Sequence, residues 1–189
     1  MMILYSDNEL IKSIKNGNQS DYSILVDRYK DRAFTLTNSI IKNEMESEEI
    51  LQDCFLKAFN SLNKFRFESK FSTWFYRIVF NTSLTRINNK KRNTESNFLS
   101  IDEFENTLTN DSMNDYRNSE KSEALSLLVR KLPSNYSTVI NLYYLEQMSC
   151  NEISLILDET VNNVKVLLYR ARKALRTIVF DNNYTEELL

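Results

Sequence analysis

The sequence predicts an all-α protein of two small helical domains joined by a flexible acidic linker, and three observations carry that reading. One glycine and one proline in 189 residues leave too little punctuation for hairpins, Rossmann-type loops or sandwiches. Apolar residues recur at three- and four-residue spacing through two long tracts, which is the period of an amphipathic helix. Between those tracts, residues 93–121 lose the period and fill with Asn, Ser, Thr, Asp and Glu, with only two basic residues. Such a composition buries little apolar surface and stays open. The chain is long enough for one ordinary domain or two small ones.

Taken in order, the first domain covers residues 1–92. Ser6 or Asp7 caps a helix carrying Leu10, Ile11 and Ile14, which ends near Gly17, the residue freest to take a left-handed stop. A second helix runs from Asp21 to Lys42 on Tyr22, Leu25, Val26, Tyr29, Phe34, Leu36 and Ile40. Ser47 is expected to open a third, with Ile50, Leu51, Cys54, Phe55, Ala58 and Leu62 facing inward. A fourth begins around Ser72, with Trp74, Phe75 and Ile78 on a buried stripe. Four such helices make a compact bundle. The linker, 93–121, has room for a short ordered piece at Phe98 to Phe104. The second domain, 122–182, starts on Leu125, Leu128 and Val129 and passes Pro133. Helices follow from Ser134 to Leu145, from Cys150 to Leu157 and from Val161. A short helix, a turn at Asp158-Glu159-Thr160 and an amphipathic helix together read as a helix-turn-helix.

Composition narrows the chemistry. Without histidine, histidine-based acid–base mechanisms and most metal sites disappear. Cys54 and Cys150 sit in separate helices and can form neither a disulfide framework nor a complete zinc site. No catalytic residue, metal or cofactor is expected. The N-terminus is too short and uncharged for a signal peptide, and no apolar run approaches membrane-spanning length. A cytoplasmic protein with reduced thiols, not inserted in a membrane, is the expectation.

Charge distribution points to nucleic acid. The formal net charge is −2, yet residues 161–176 carry five basic side chains and no acidic one. Val161, Val164, Leu168, Ala171 and Leu175 form the opposite stripe. A basic helix face in an acidic chain is the footprint of contact with phosphates. A second cluster lies between Ser61 and Arg92, where eight basic residues accompany one acidic residue and many aromatics. Phe65 and Phe67 fall in a loop-like stretch among Asn63, Lys64, Arg66 and Glu68. Exposed there, they would offer stacking faces to single-stranded bases beside cations for the phosphates.

Three segments resemble one family, in its order. Glu46-Ser47-Glu48-Glu49-Ile50-Leu51-Gln52-Asp53-Cys54-Phe55-Leu56-Lys57-Ala58 is similar to the acidic polymerase-docking helix of extracytoplasmic-function (ECF) sigma factors of the sigma-70 family. Lys70-Phe71-Ser72-Thr73-Trp74-Phe75-Tyr76-Arg77-Ile78-Val79-Phe80-Asn81 resembles their promoter-melting segment. Leu132-Pro133, Val139 to Leu142, Glu152-Ile153-Ser154 and Val164 to Arg172 resemble their C-terminal helix-turn-helix. The resemblance implies a specificity subunit without chemistry of its own. Glu48, Glu49, Gln52 and Asp53 would dock on the clamp of core RNA polymerase, with a further contact to its flap. Phe65, Lys70, Trp74, Arg77, Asn81 and Arg86 would serve the minus-ten DNA. Phe65 and Asn81 match residues that line the pocket for an extruded base, and Arg86 would help hold the backbone. Lys165, Val166, Tyr169, Arg170 and Lys173 would serve the minus-thirty-five DNA. Many relatives also have an anti-sigma partner.

Two departures from the family pattern stand out. Asp158 and Asn162-Asn163 replace the small residues or glycine usual around the turn, and they are the residue types that best tolerate left-handed geometry. Val166 replaces a serine common in relatives. A stand-alone helix-turn-helix regulator accounts for the C-terminal half equally well but leaves the second basic–aromatic cluster without a role. A nucleic-acid enzyme would need magnesium on Glu46, Glu48, Glu49 and Asp53, which lie on one helix with no candidate base or nucleophile nearby.

Overall fold

The structure is a computed structural model and describes residues 5–95 and 127–181. Among these residues every regular element is helical. Helix α1 (Asp7–Lys15) opens on a capping box. The Glu9 N–H donates to Ser6 Oγ at 3.4 Å and the Ser6 N–H donates to Glu9 Oε2 at 2.7 Å, so two orphan donors are satisfied reciprocally. It stops at Gly17, whose φ of 105° is strained for any side chain. Helix α2 (Tyr22–Ile41) ends on a left-handed Lys42.

Helix α3 (Glu44–Ser61) starts one turn before the expected Ser47. Asn43 is the cap, its Oδ1 accepting the Glu46 N–H at 3.0 Å. Ser47 lies inside the helix, buried, with its hydroxyl donating to the Asn43 carbonyl at 2.6 Å. Asn caps at least as well as Ser, and the serine hydroxyl turns back on its own helix.

Helix α4 (Phe71–Glu95) buries Phe71, Phe75, Tyr76 and Val79. Trp74 and Ile78, expected on that stripe, are only half-buried. The bulkiest aromatics rotate the buried face by about one residue, because Tyr29 packs edge-on to Phe71, Phe75 and Tyr76. The helix runs into the first residues of the expected linker. The rest of that stretch, including Phe98 to Phe104 and on to Leu125, lies outside the described residues.

The C-terminal half begins with helical residues 127–130, whose Leu128 and Val129 are buried with Leu132. Helix α5 (Ser134–Ile140) continues into a wider π turn at Asn141–Leu145, so the single regular helix expected from Ser134 to Leu145 changes pitch midway. Helix α6 (Cys150–Leu157) has its own capping box, from Ser149 and Glu152. Asp158 takes the left-handed turn with φ 56°. Helix α7 (Val161–Asp181) follows, with Thr160 Oγ1 accepting the Asn163 N–H at 3.2 Å and Val164, Leu168 and Ala171 buried. Asn162 and Asn163 are ordinary helical residues.

The two halves pack together, their buried apolar side chains forming one continuous cluster. Helix α5 rests on α2, and α6 rests on α4. Ser137 Oγ donates to the Ser39 carbonyl at 3.1 Å, Ser134 Oγ to the Ile40 carbonyl at 3.2 Å, and Lys42 Nζ to the Leu132 carbonyl at 3.0 Å. The first two satisfy carbonyls in the last turn of α2, which have no partner within their own helix.

Candidate nucleic-acid interface

Lys70, Trp74, Arg77 and Asn81 follow at spacings of four, three and four, so they share one face as α4 forms. Lys70, Arg77 and Asn81 are exposed and Trp74 is half-buried. Beside them opens a cleft of about 430 Å³ whose walls include Phe65, Arg66, Thr73, Trp74 and Arg77. The Thr73 hydroxyl is buried there without a hydrogen-bond partner among the described residues.

Phe65 is not the exposed stacking face expected from its loop setting. It is 4% exposed, with its ring centroid 5.2 Å from that of Trp74 and 6.1 Å from that of Phe71. The loop folds back because Lys15 Nζ donates to the Phe65 carbonyl at 2.6 Å. The same ammonium stands 4.9 Å from the Phe67 ring centroid, a cation–π contact. Phe67 is 37% exposed and takes a left-handed φ of 60°, uncommon for a bulky residue and strained. Phe67 therefore presents the accessible ring, and Phe65 forms the floor beneath it.

On α3, Glu48, Glu49, Gln52 and Asp53 are all exposed, opposite buried Ile50, Cys54 and Ala58. Arg86 turns toward this helix. Its Nη2 lies 3.3 Å from Glu49 Oε2 and its Nε 3.8 Å from Glu46 Oε1, and Lys90 pairs with the same Glu46. Arg86 thus ties α4 to α3, a role that opposite charges so far apart in sequence did not reveal. Burial pushes the Cys54 thiol up to about 11, so it stays a neutral packing group at physiological pH.

On α7, Lys165, Val166, Tyr169, Arg170 and Lys173 are all exposed, Val166 at 47% and Tyr169 at 69%. Arg172 differs from its basic neighbours. Its Nε donates to the Tyr144 hydroxyl at 2.7 Å, and its guanidinium lies 5.3 Å and 5.5 Å from the rings of Tyr143 and Tyr144. It braces α7 on the π turn and presents less charge outward.

Sequence reasoning also missed Glu146. Its side chain is 7% exposed and its carboxylate lies 3.9 Å from Arg32 of α2. Burial raises its pKa, against the charge of Arg32. It acts electrostatically on the buried Tyr76 of α4, whose hydroxyl meets no acceptor in hydrogen-bond geometry among the described residues. Only the docking of the halves brings these groups together.

Comparison with known proteins fits this arrangement. The family model for Sigma-70 region 2 matches residues 25–93, and that for Sigma-70, region 4 matches residues 122–175. The chain is 35% identical over 181 residues to the ECF RNA polymerase sigma factor SigW of Bacillus subtilis, covering 90% of this chain and 95% of that relative. It is 29% identical over 177 residues to the ECF RNA polymerase sigma-E factor of Escherichia coli, covering 90% and 92%. Among solved structures, the sigma factor RpoE of Bartonella quintana, in complex with the anti-sigma factor NepR, superposes with a TM-score of 0.66. That match has 16% identity and covers 84% of this chain and 96% of the other. CnrH, in complex with the cytosolic domain of CnrY, superposes with a TM-score of 0.64 at 22% identity, covering 93% and 97%. These two likenesses bear on the fold alone. The matches extend along almost the whole chain and take in both of its basic faces, which a stand-alone helix-turn-helix regulator does not explain: the chain belongs to the ECF sigma factors of the sigma-70 family, non-enzymatic subunits that direct RNA polymerase to promoters.

Proposed function

We propose a division of labour among three faces. The exposed side of α3, with Glu48, Glu49, Gln52 and Asp53, docks on the clamp of core RNA polymerase. The α4 face with Lys70, Trp74, Arg77 and Asn81 holds the minus-ten DNA and captures an extruded base. The Asn81 amide supplies both donor and acceptor to a base edge, Trp74 and Phe65 supply the aromatic wall of the cleft, and Phe67 offers an accessible ring beside it. Capture offsets the few kcal/mol of stacking lost on extrusion. Arg86 supports this face from behind through its ion pairs with α3. The α7 face reads the minus-thirty-five DNA. Lys165, Arg170 and Lys173 reach guanine edges or phosphates, while Val166 and Tyr169 make apolar contacts such as with a thymine methyl.

One observation carries this reading: two basic, aromatic-bearing faces stand on separate halves, each backed by a buried stripe. A protein with a single DNA contact needs only one. The place of action is the cytoplasm, where polymerase works, and no described helix is long and apolar enough to cross a membrane. An anti-sigma factor is a further partner class, since RpoE of Bartonella quintana is solved bound to one.

Permanganate footprinting on a promoter with core polymerase tests the division. Asn81→Ala should leave closed-complex binding in place and reduce thymine reactivity at the minus-ten element. A pre-melted bubble should restore much of the activity. Arg170→Ala should weaken closed-complex binding by about 1–3 kcal/mol if the contact is bidentate to guanine. Equal loss of closed-complex binding by both variants, with normal melting once bound, would refute the assignment.

A further inference from the structure

We propose that the free chain is self-inhibited: the first helix of its own helix-turn-helix, α6, walls one side of the minus-ten cleft of α4 and must leave before single-stranded DNA can enter. This rests on the assignment of that cleft to the minus-ten DNA. Leu155 of α6 stands among Phe65, Trp74 and Arg77 as part of the cleft wall. It comes from the half of the chain with no other role in the melting face. Next to it, Lys70 Nζ pairs with Glu152 Oε1 at 2.8 Å, so a cation expected to face phosphate is held by a carboxylate of the same chain. Glu152 is rigid enough to act as a latch, because its other oxygen closes the α6 capping box on Ser149 at 2.9 Å and 2.8 Å.

The contact at the cleft itself is slight, since Leu155 keeps 54% of its surface exposed. Elsewhere the closed form is held by the apolar cluster that the halves share and by Ser134 and Ser137 on the end of α2. Water replaces the two serine bonds when the halves part, so the shared apolar contact is the main cost of opening. Closure leaves Lys165, Val166, Tyr169 and Arg170 exposed. Arg77 and Asn81 stay exposed as well, so what closure takes from the melting face is the Lys70 charge and one side of the cleft.

The chain carries its own reporter, since Trp74 in the cleft wall is the one tryptophan in the sequence. The test uses the full chain with two variants. Glu152→Gln removes the charge facing Lys70 and keeps the capping box, because glutamine serves at that position too. Leu155→Lys puts a cation among Lys64, Arg66 and Arg77 at an already exposed site. Trp74 emission and acrylamide quenching report opening without DNA. Fluorescence anisotropy with a labelled random-sequence single-stranded DNA 12-mer reports access, with Ile24→Lys, an exposed site on α2, as a control for added charge.

Both opening variants should show red-shifted, more readily quenched Trp74 emission. They should also bind the 12-mer about tenfold more tightly than wild type, because apparent affinity scales with the open fraction. Ile24→Lys should change neither by a comparable amount. Wild-type Trp74 already as quenchable as in the variants would overturn the proposal. Opened variants that bind the 12-mer no better than Ile24→Lys, while supporting transcription with core polymerase, would overturn it and leave the sigma-factor reading standing. If no form of the chain supports transcription, the fault lies in the assignment of the cleft.

Discussion

Phe65, Phe67 and Asn81 sit within the same basic tract, yet substitution should separate them. Phe65 lies in the aromatic cluster, so Phe65→Ala should lose about 3–5 kcal/mol of stability. That loss is visible as a lower urea midpoint before any effect on melting is measured. Phe67→Ala and Asn81→Ala should hold the midpoint near wild type, and Asn81→Ala should impair strand opening alone. Local spacing identified the tract but not which aromatic is buried. The deciding contact, Lys15 on the Phe65 carbonyl, spans 50 residues. Glu146 makes a second residue-level prediction. Burial between α2 and α4 raises its pKa, opposed by Tyr76 of α4 and by the charge of Arg32 of α2, with Tyr29 of α2 also close enough to feel its charge. The closed form therefore holds that proton more tightly than the open form. Closure should strengthen as pH falls from neutrality toward the ordinary carboxylate range, and weaken as pH rises through the raised value. Glu152 has the opposite sign: the hydrogen bond from Lys70 lowers its pKa, so its contribution is lost only as pH falls below that range. Acrylamide quenching of Trp74 across this window should show protection on mild acidification, and Glu146→Gln should flatten the response. A profile unchanged by that substitution would remove Glu146 from the closed interface.

At the level of elements, caps and turns were the most legible features, because they depend on residues only three or four apart. Ser6 with Glu9 and the left-handed Asp158 follow from local chemistry. Asn43 and Ser47 both suit the α3 cap by residue type, and only the inward packing of Ser47 separates them. Asp158 gives a direct stability test. Asp158→Gly should be neutral or stabilising by up to about 1 kcal/mol, since glycine takes φ 56° without strain, while Asp158→Val should destabilise. Thermal melts of the full chain would show both. The link from α3 to α4 makes another prediction. Arg86→Gln removes a surface ion pair with Glu49 and one of the two cations on the largely buried Glu46, which keeps Lys90, and should cost about 1 kcal/mol of stability. It should also leave polymerase affinity largely intact, because Arg86 faces its own chain. Glu48→Lys with Asp53→Lys should weaken the complex with core enzyme while far-UV circular dichroism stays unchanged. Equal core binding by that double variant would move the docking face elsewhere.

The whole molecule shows what periodicity cannot. Two helical units, a basic face on each and the helix-turn-helix were all readable from patterns within a few turns of helix. The packing of one unit on the other was not. It depends on pairs such as Ser39 with Ser137 and Lys70 with Glu152, far apart in sequence and ordinary in type. Net charge of −2 opposes duplex binding by the chain alone and the closed arrangement withholds the minus-ten cleft, so full promoter affinity should appear once polymerase holds the halves apart. The most direct measurement is transcription reconstituted from the purified chain and core RNA polymerase on a library of promoters. Initiation should occur only when both components are present, on templates sharing two motifs at a fixed separation. Tight, sequence-specific binding to one duplex motif by the chain alone, with no transcription on adding core enzyme, would contradict it.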